Sequence, residues 1–319
     1  MLAFAVWGDP DGFPVLALHG TPGCRLERWP NEDLFRELGV CLVTHDRAGY
    51  GRSTRRRGRR IVDEVDDVVL LADHLGFERF GVTGGSGGGP HALACAALLP
   101  ERVVRATCSV GVAPLGRSGL EQDAWLAGMD PENVKEFGWA MAGEDVLSAE
   151  LEVEYERLAA RVAADPTTVL EGFELSESDR AQLARPELIQ VIRESTAEHC
   201  LNGVGGWVDD DLAILQPWGF EVDRIAVPVL VRYGASDVLV PGVHGELAGR
   251  ERPGLPRQGR RRRRPFQFGP RAGHRRERPL AAGRRAATRE SIEHRPRVSR
   301  VSLPSARPKR PTVACRRRR

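Results

Sequence analysis

The segment FGVTGGSGGGPHALACAALLP, Phe80–Pro100, sets a short apolar run against a serine ringed by glycines and follows it with a mostly apolar, helix-forming stretch. Read locally it is strand, tight turn, helix. Gly84–Gly88, GGSGG, has the form G-x-S-x-G, and in that setting the glycines two before and two after the serine leave room for a strained backbone. Such a turn lifts the Ser86 hydroxyl out of the sheet edge and makes it the candidate nucleophile. The competing reading, an ordinary glycine-rich loop, suits an isolated match better than one between a strand and a helix. A phosphate cradle is disfavoured, since the chain has no G-x-x-x-x-G-K-[ST] and no well-placed dinucleotide fingerprint.

Working outward, LAFAV and PVLALHG are short apolar runs separated by WGDPDGF, whose Asp-Pro-Asp-Gly is turn chemistry, and the pattern predicts a hairpin. VCLVTHD, Val40–Asp46, reads as a buried strand. IVDEVDDVVLLADHLG places Ile61, Val65, Val68, Val69 and Ala72 at helical spacing and stops at Gly76. After the elbow, VVRATCSVGVA and VPVLVRYGASD (Val227–Asp237) read as strands, and GVHGELAG starts a helix. Strand and helix alternate, which predicts an α/β fold: a doubly wound, mostly parallel sheet. From Pro114 to Trp218 acidic, helix-forming segments such as EYERLAARVAAD interrupt that pattern. The expected organisation is a first core part over 1–113, an inserted helical cap over 114–218, a second core part over 219–249 and a basic segment over 250–319, with the final strand and helix missing. No internal repeat is visible.

A serine nucleophile needs donors for the oxyanion that forms when it attacks. The backbone N–H of Gly87, at the helix start, supplies one. The second is expected from LHGTPG, Leu18–Gly23, where Gly20 permits the turn and Thr21 N–H is the donor. Losing a donor of this kind costs about 2.7 to 4 kcal/mol in the transition state. His19, which precedes the nucleophile in the chain, reads as a structural loop histidine.

Taken together and in this order, HGTPG, DRAGYGRS (Asp46–Ser53), GGSGGGPHA and YGASD resemble the α/β-hydrolase superfamily, in the branch of small esterases and proline-iminopeptidase-like serine hydrolases, over about residues 3–249. The resemblance implies cleavage of a small ester or amide through an acyl-enzyme, without metal or cofactor. It implies a triad in the order Ser, Asp, His, with Asp237 as the acid, and a helical cap that shapes the substrate pocket. The chain departs from the family at its start, near what would be the second strand, and at Gly85, where relatives often carry a bulky residue. Asp237 also has a reading of its own: a carboxylate at the C-terminal end of a parallel strand faces the same edge as the elbow. Its alternative is a turn or helix N-cap. Asp46 reads as a structural turn residue, and RRRGRR, Arg55–Arg60, as a solvated surface, with carboxylate binding as the alternative. Cofactor-free haloperoxidase or lyase chemistry on the same triad stays open. Epoxide hydrolase and dehalogenase relatives place Asp at the elbow instead.

The remaining histidine should follow one more strand, about thirty residues after the acid. That position falls in GRRRRRPFQFGPRAGH, Gly259–His274, where the order of the chain collapses. From Arg250 onward there are 24 Arg and one Lys against four Glu, a net +21; with +3 for the whole chain, residues 1–249 hold −18. Only nine of these seventy residues are Val, Ile, Leu or Phe, too few for a core, so the segment is expected to be disordered. His274 lacks a preceding strand, and its arginine neighbours disfavour the imidazolium a base must become. His244 follows Asp237 too closely and reads as structural. The genetic code offers a source for such a segment. Arg as CGN followed by C becomes GNC one base on, so Gly259–Arg264 permits Val-Asp-Asp-Asp-Ala-Gly, and Pro265 before Phe266 permits His. The tail therefore reads as a frameshift that removed the base and impaired the enzyme. The alternative is a degenerate, non-catalytic hydrolase core acting as a binding module whose basic tail adheres to polyanions.

Other classes are excluded more simply. The arginine blocks lack the aromatic interleaving or folded motif of specific nucleic-acid recognition. No run approaches eighteen apolar residues, and the start has no basic n-region or cleavage site, so neither a membrane span nor a signal peptide is expected. Six scattered cysteines without C-x-x-C spacing read as reduced thiols of a cytoplasmic protein.

Overall fold

Runs rich in Val, Leu and Phe extend as β1 (Leu2–Gly8), β2 (Phe13–Leu18), β3 (Val40–His45), β4 (Phe80–Gly85), β5 (Val103–Ser109), β6 (Val229–Arg232) and β7 (Val298–Val301). They belong to a computed structural model that describes residues 1–116, 119–173, 177–250 and 298–301. The strands form one sheet in the order β6-β5-β4-β2-β3-β1-β7. The five from β6 to β3 run parallel; β1 lies antiparallel to β3, and β7 antiparallel to β1. Parallel neighbours require crossovers, and helices supply them: α1 (Glu32–Glu37), α2 (Glu64–His74) and α3 (Gly88–Leu98) precede β5, and a helical insert separates β5 from β6. The fold is the α/β, mostly parallel arrangement expected from the alternation.

The strand period of two assigns the faces. Leu16, Leu18, Val43 and Val82 join Val68, Leu71 and Leu93 of α2 and α3 in the main core, while Val15, Ala17 and Leu42 turn to the other side with Trp7 of β1, against Phe35 of α1. With both faces covered, the sheet has one free set of loops for chemistry, at the C-terminal ends of its parallel strands.

The insert comprises α4 (Gln122–Leu126), α5 (Pro131–Ala142), α6 (Glu144–Ala164), α7 (Glu177–Leu183), α8 (Pro186–His199) and α9 (Gly205–Leu215). Asp130 caps α5 by accepting from Glu132 N, with Pro131 preset at the first helical position. Tyr50 of the body packs with Leu147, Leu151, Val204 and Trp207 of the insert in a second core, so the helices are joined to the body rather than tethered. After β6 the described chain ends this section as α10 (Gly242–Arg250). No described helix is long and apolar enough to cross a membrane.

Two expectations change. The first two strands are not a hairpin. The turn forms, with Gly12 N on Asp9 O at 3.0 Å, but Asp9 N and Phe13 N bond instead to Val40 O and Gly39 O, so the start of β3 wedges between its legs. Each leg then pairs with β3. In the basic segment, Val298–Val301 lie along β1 as a strand, where composition gave no element. The rest of that segment, with His274 and the expected place of the lost strand, lies outside the described residues.

Candidate active site

Ser86 follows β4 directly and adopts φ +50°, a left-handed conformation uncommon for a serine and expected only where the surroundings impose it. Its N–H donates to Ser109 O at 3.0 Å and its carbonyl accepts from Gly89 N at 2.9 Å, which closes the turn into α3. The glycines are needed for space. A Cβ on Gly84 would overlap the Gly88 carbonyl, and one on Gly88 would overlap the carbonyl of Leu18. The elbow and the strand-end loop 18–23 therefore touch backbone to backbone. Ser86 is half-buried beside that loop, its Cβ 3.7 Å from where a Cβ on Gly20 would stand. A Cβ on Gly87 would lie 3.3 Å from Thr21 N and overlap Thr21 Oγ1. Ser86, Gly87 and Thr21 are thus brought together.

The loop is held from the side of the protein interior. Arg47 donates through Nη1 to His19 O and through Nη2 to Gly20 O at 2.7 Å. Its guanidinium pairs with Asp210 of α9 at 2.5 Å, and Arg59 pairs with the other oxygen of that carboxylate at 2.5 Å. Tyr50 Oη and Thr21 Oγ1 donate to Asp210 Oδ2 at 2.8 and 2.7 Å. Burial alone would raise the Asp210 carboxyl, but Arg47 and then Arg59 overcome it and hold it well below the usual carboxylate range. Beside this cluster, burial pushes Asp211 well up, as does the neighbouring Glu136 carboxyl, which burial also raises.

Asp237 is buried at the same sheet edge, beyond β6. The edge is continuous: Ser109 O takes Ser86 N, and the next residue, Val110, donates to Arg232 O at the end of β6. Asp237 Oδ1 accepts from Leu239 N and Val240 N, both at 3.0 Å, so it also shapes the turn toward α10.

The described histidines are each engaged elsewhere. His19 donates from Nδ1 to Gly20 O and accepts at Nε2 from Arg47 N; burial, and then Arg47, hold its pKa well below the ordinary value. His45 pairs with Glu64, and His91 bonds Ile61 O with Nε2 3.6 Å from Asp210. His74 stands edge-on to Phe4 and His199 to Tyr155. His244, in α10, accepts from Ala113 N and donates to Trp125 O, and burial lowers it to about 4.

The arginine loop read as solvated is the main correction. Arg59 is 2% exposed and donates to Ala48 O and Gly206 O besides pairing with Asp210. Arg55 grips Asp209 of α9, Arg56 pairs with Asp67, and Arg57 with Glu144 of α6. Three aspartates, Asp209–Asp211, in the otherwise apolar helix GGWVDDDLAIL were the signal, because buried acids require buried bases. Asp46 is the turn residue expected: its oxygens accept from Arg25 N at 2.7 Å, Arg25 Nη1 at 2.6 Å and Arg52 N at 3.0 Å.

Comparison with known proteins agrees with the fold. A family model for the alpha/beta hydrolase fold matches residues 14–267. The non-heme chloroperoxidase of Streptomyces lividans is 30% identical over 244 residues, 74% of this chain and 78% of its own. A proline iminopeptidase of Neisseria meningitidis serogroup A is 29% identical over 256 residues, 73% and 77% of the two chains. The hydrolase YcgS of Bacillus subtilis matches at 34% over 102 residues, only 35% of its length. Among solved structures, the enol-lactonase of Burkholderia xenovorans LB400 superposes with a TM-score of 0.54 at 19% identity, covering 78% of this chain and 84% of that one, a likeness of fold.

Proposed function

The chain belongs to the alpha/beta hydrolase fold family, and on that footing we propose that it is a serine hydrolase that cleaves a small ester or amide through an acyl-enzyme on Ser86. The observation that carries the reading is the left-handed Ser86 at the strand-to-helix turn, with Thr21 N facing Gly87 beside it. Ser86 Oγ attacks the substrate carbonyl as a base takes its proton, the N–H groups of Thr21 and Gly87 receive the oxygen as it becomes an anion, collapse expels the protonated alcohol or amine, and water then releases the acid from Ser86. Asp237 is the triad acid, and the helices between β5 and β6 are the cap over the substrate. The proline iminopeptidase and non-heme chloroperoxidase likenesses leave amide cleavage and haloperoxidase chemistry as further readings of the same site.

In the same reading the enzyme is slow. Six of the eight histidines are engaged as described, and His274 and His294 lie outside the described residues among arginines. With no base free among the described histidines, the Ser86 hydroxyl stays protonated near neutral pH. Removing the serine or histidine of a comparable triad costs about 10⁶ in kcat. A missing base can be replaced from solution. With imidazole at tens of millimolar, p-nitrophenyl acetate turnover should rise well above that of Ser86→Ala in the same buffer. Equal rates for the two proteins in imidazole would reject Ser86 as nucleophile.

A further inference from the structure

In a trans peptide unit the C=O and N–H point to opposite sides, so whatever holds a carbonyl also aims the next residue's amide. Gly20 C=O and Thr21 N–H are the two ends of one such unit. The carbonyl is taken by Arg47 Nη2 at 2.7 Å and by His19 Nδ1 at 2.8 Å, and the guanidinium is fixed by Asp210 through Nε at 3.2 Å and Nη2 at 2.5 Å. The same carboxylate accepts the Thr21 hydroxyl at 2.7 Å. Both the peptide plane and the side chain of Thr21 are therefore referred to one group on α9, 189 positions away in sequence. That group is itself held: it is fully buried, paired with Arg59 and bonded to Tyr50.

We infer that Asp210 is a positioning residue for the hydrolytic reaction, aiming the Thr21 N–H at the oxyanion beside Ser86 and tying that donor to the seat of the helical insert. The inference rests on the roles proposed for Ser86 and Thr21. Asp210 touches no reacting atom; it acts through Arg47 and Thr21. An ion cluster that serves stability alone would treat the Thr21 and Tyr50 hydroxyls alike, because both donate to Asp210 Oδ2.

Ester hydrolysis by the full-length chain, with imidazole supplied and Ser86→Ala as background, separates the two. Thr21→Val keeps the shape and loses both hydroxyl bonds, the one donated to Asp210 and the one accepted from Arg47 Nη2. Since removing a whole oxyanion donor costs about 10²–10³ in kcat, mis-aiming one should lower kcat about tenfold with KM unchanged. Thr21→Ser, which restores both bonds, and Tyr50→Phe, which breaks a different bond to the same oxygen, should each stay within about threefold of wild type by the same scale. A Ser86-dependent rate that Thr21→Val leaves intact, or that Thr21→Val and Tyr50→Phe reduce equally, would overturn the positioning role alone. Equal rates for wild type and Ser86→Ala would sink the nucleophile and this inference with it.

Discussion

Replacing Asp210 by Asn keeps the side chain's shape and removes its charge. In the folded protein the carboxylate faces five donors: Nε and Nη2 of Arg47, Nη2 of Arg59, the Tyr50 hydroxyl and the Thr21 hydroxyl. An amide retains one acceptor oxygen and turns an NH₂ toward the remaining donors. Arg47 and Arg59, both essentially without exposure, then keep their charges without the paired anion. Breaking a buried pair by removing one partner costs about 3–5 kcal/mol, because the uncompensated charge stays buried. With a urea slope near the upper end of the usual range, about 3 kcal/mol/M, the midpoint should fall by roughly 1 to 1.7 M. Asp209→Asn is the internal control. Asp209 is buried but its partner Arg55 is 36% exposed, so the charge left behind can be hydrated and the loss should be clearly smaller than for Asp210→Asn. Tryptophan fluorescence during urea unfolding reads both variants. Equal midpoint shifts for Asp210→Asn and Asp209→Asn would refute the view that the Arg47–Arg59–Asp210 cluster joins the insert to the body.

Two further outcomes are expected. Burial lowers His199 to about 4, against about 6.5 unfolded, so between those values the unfolded chain binds more protons; the His199 contribution is fully present above pH 6.5 and about 3 kcal/mol of it is lost as pH drops through 4, alongside a similar loss from His244, so His199→Gln should lessen the drop between urea titrations at pH 7 and 4.5 without abolishing it. The proposed frameshift makes a gene-level forecast: a one-base correction near Arg250 should encode a histidine about thirty residues after Asp237 and raise imidazole-free ester turnover by several orders of magnitude, about the value of a triad base, whereas an unchanged rate would place the base elsewhere.

How much of this was legible follows from which interactions are local. The elbow could be read because its glycines, strand and helix are consecutive, and β4 spans Phe80–Gly85 as the apolar run did. The helix expected from Ile61 to Gly76 forms as a short 3₁₀ turn and α2. Pairing is another matter. The turn at Asp9–Gly12 has the chemistry of a hairpin, but which strand lies between its legs is decided by Gly39–Val40, nearly thirty residues away. The arginine loop failed for the same reason: Arg59 looks like a surface residue until Asp210 on a distant helix gives it a buried partner. Thr21 was proposed through its backbone amide, while its side-chain tie to Asp210 had no signature in the neighbouring sequence.

The most direct test of the central claim is the site of covalent capture. Full-length protein incubated for hours with a fluorophosphonate and digested should show the phosphonyl mass on the peptide that contains Ser86, with no added mass in Ser86→Ala. A label carried by another residue, or equal labelling of the two proteins, would contradict the assignment of Ser86 as the nucleophile.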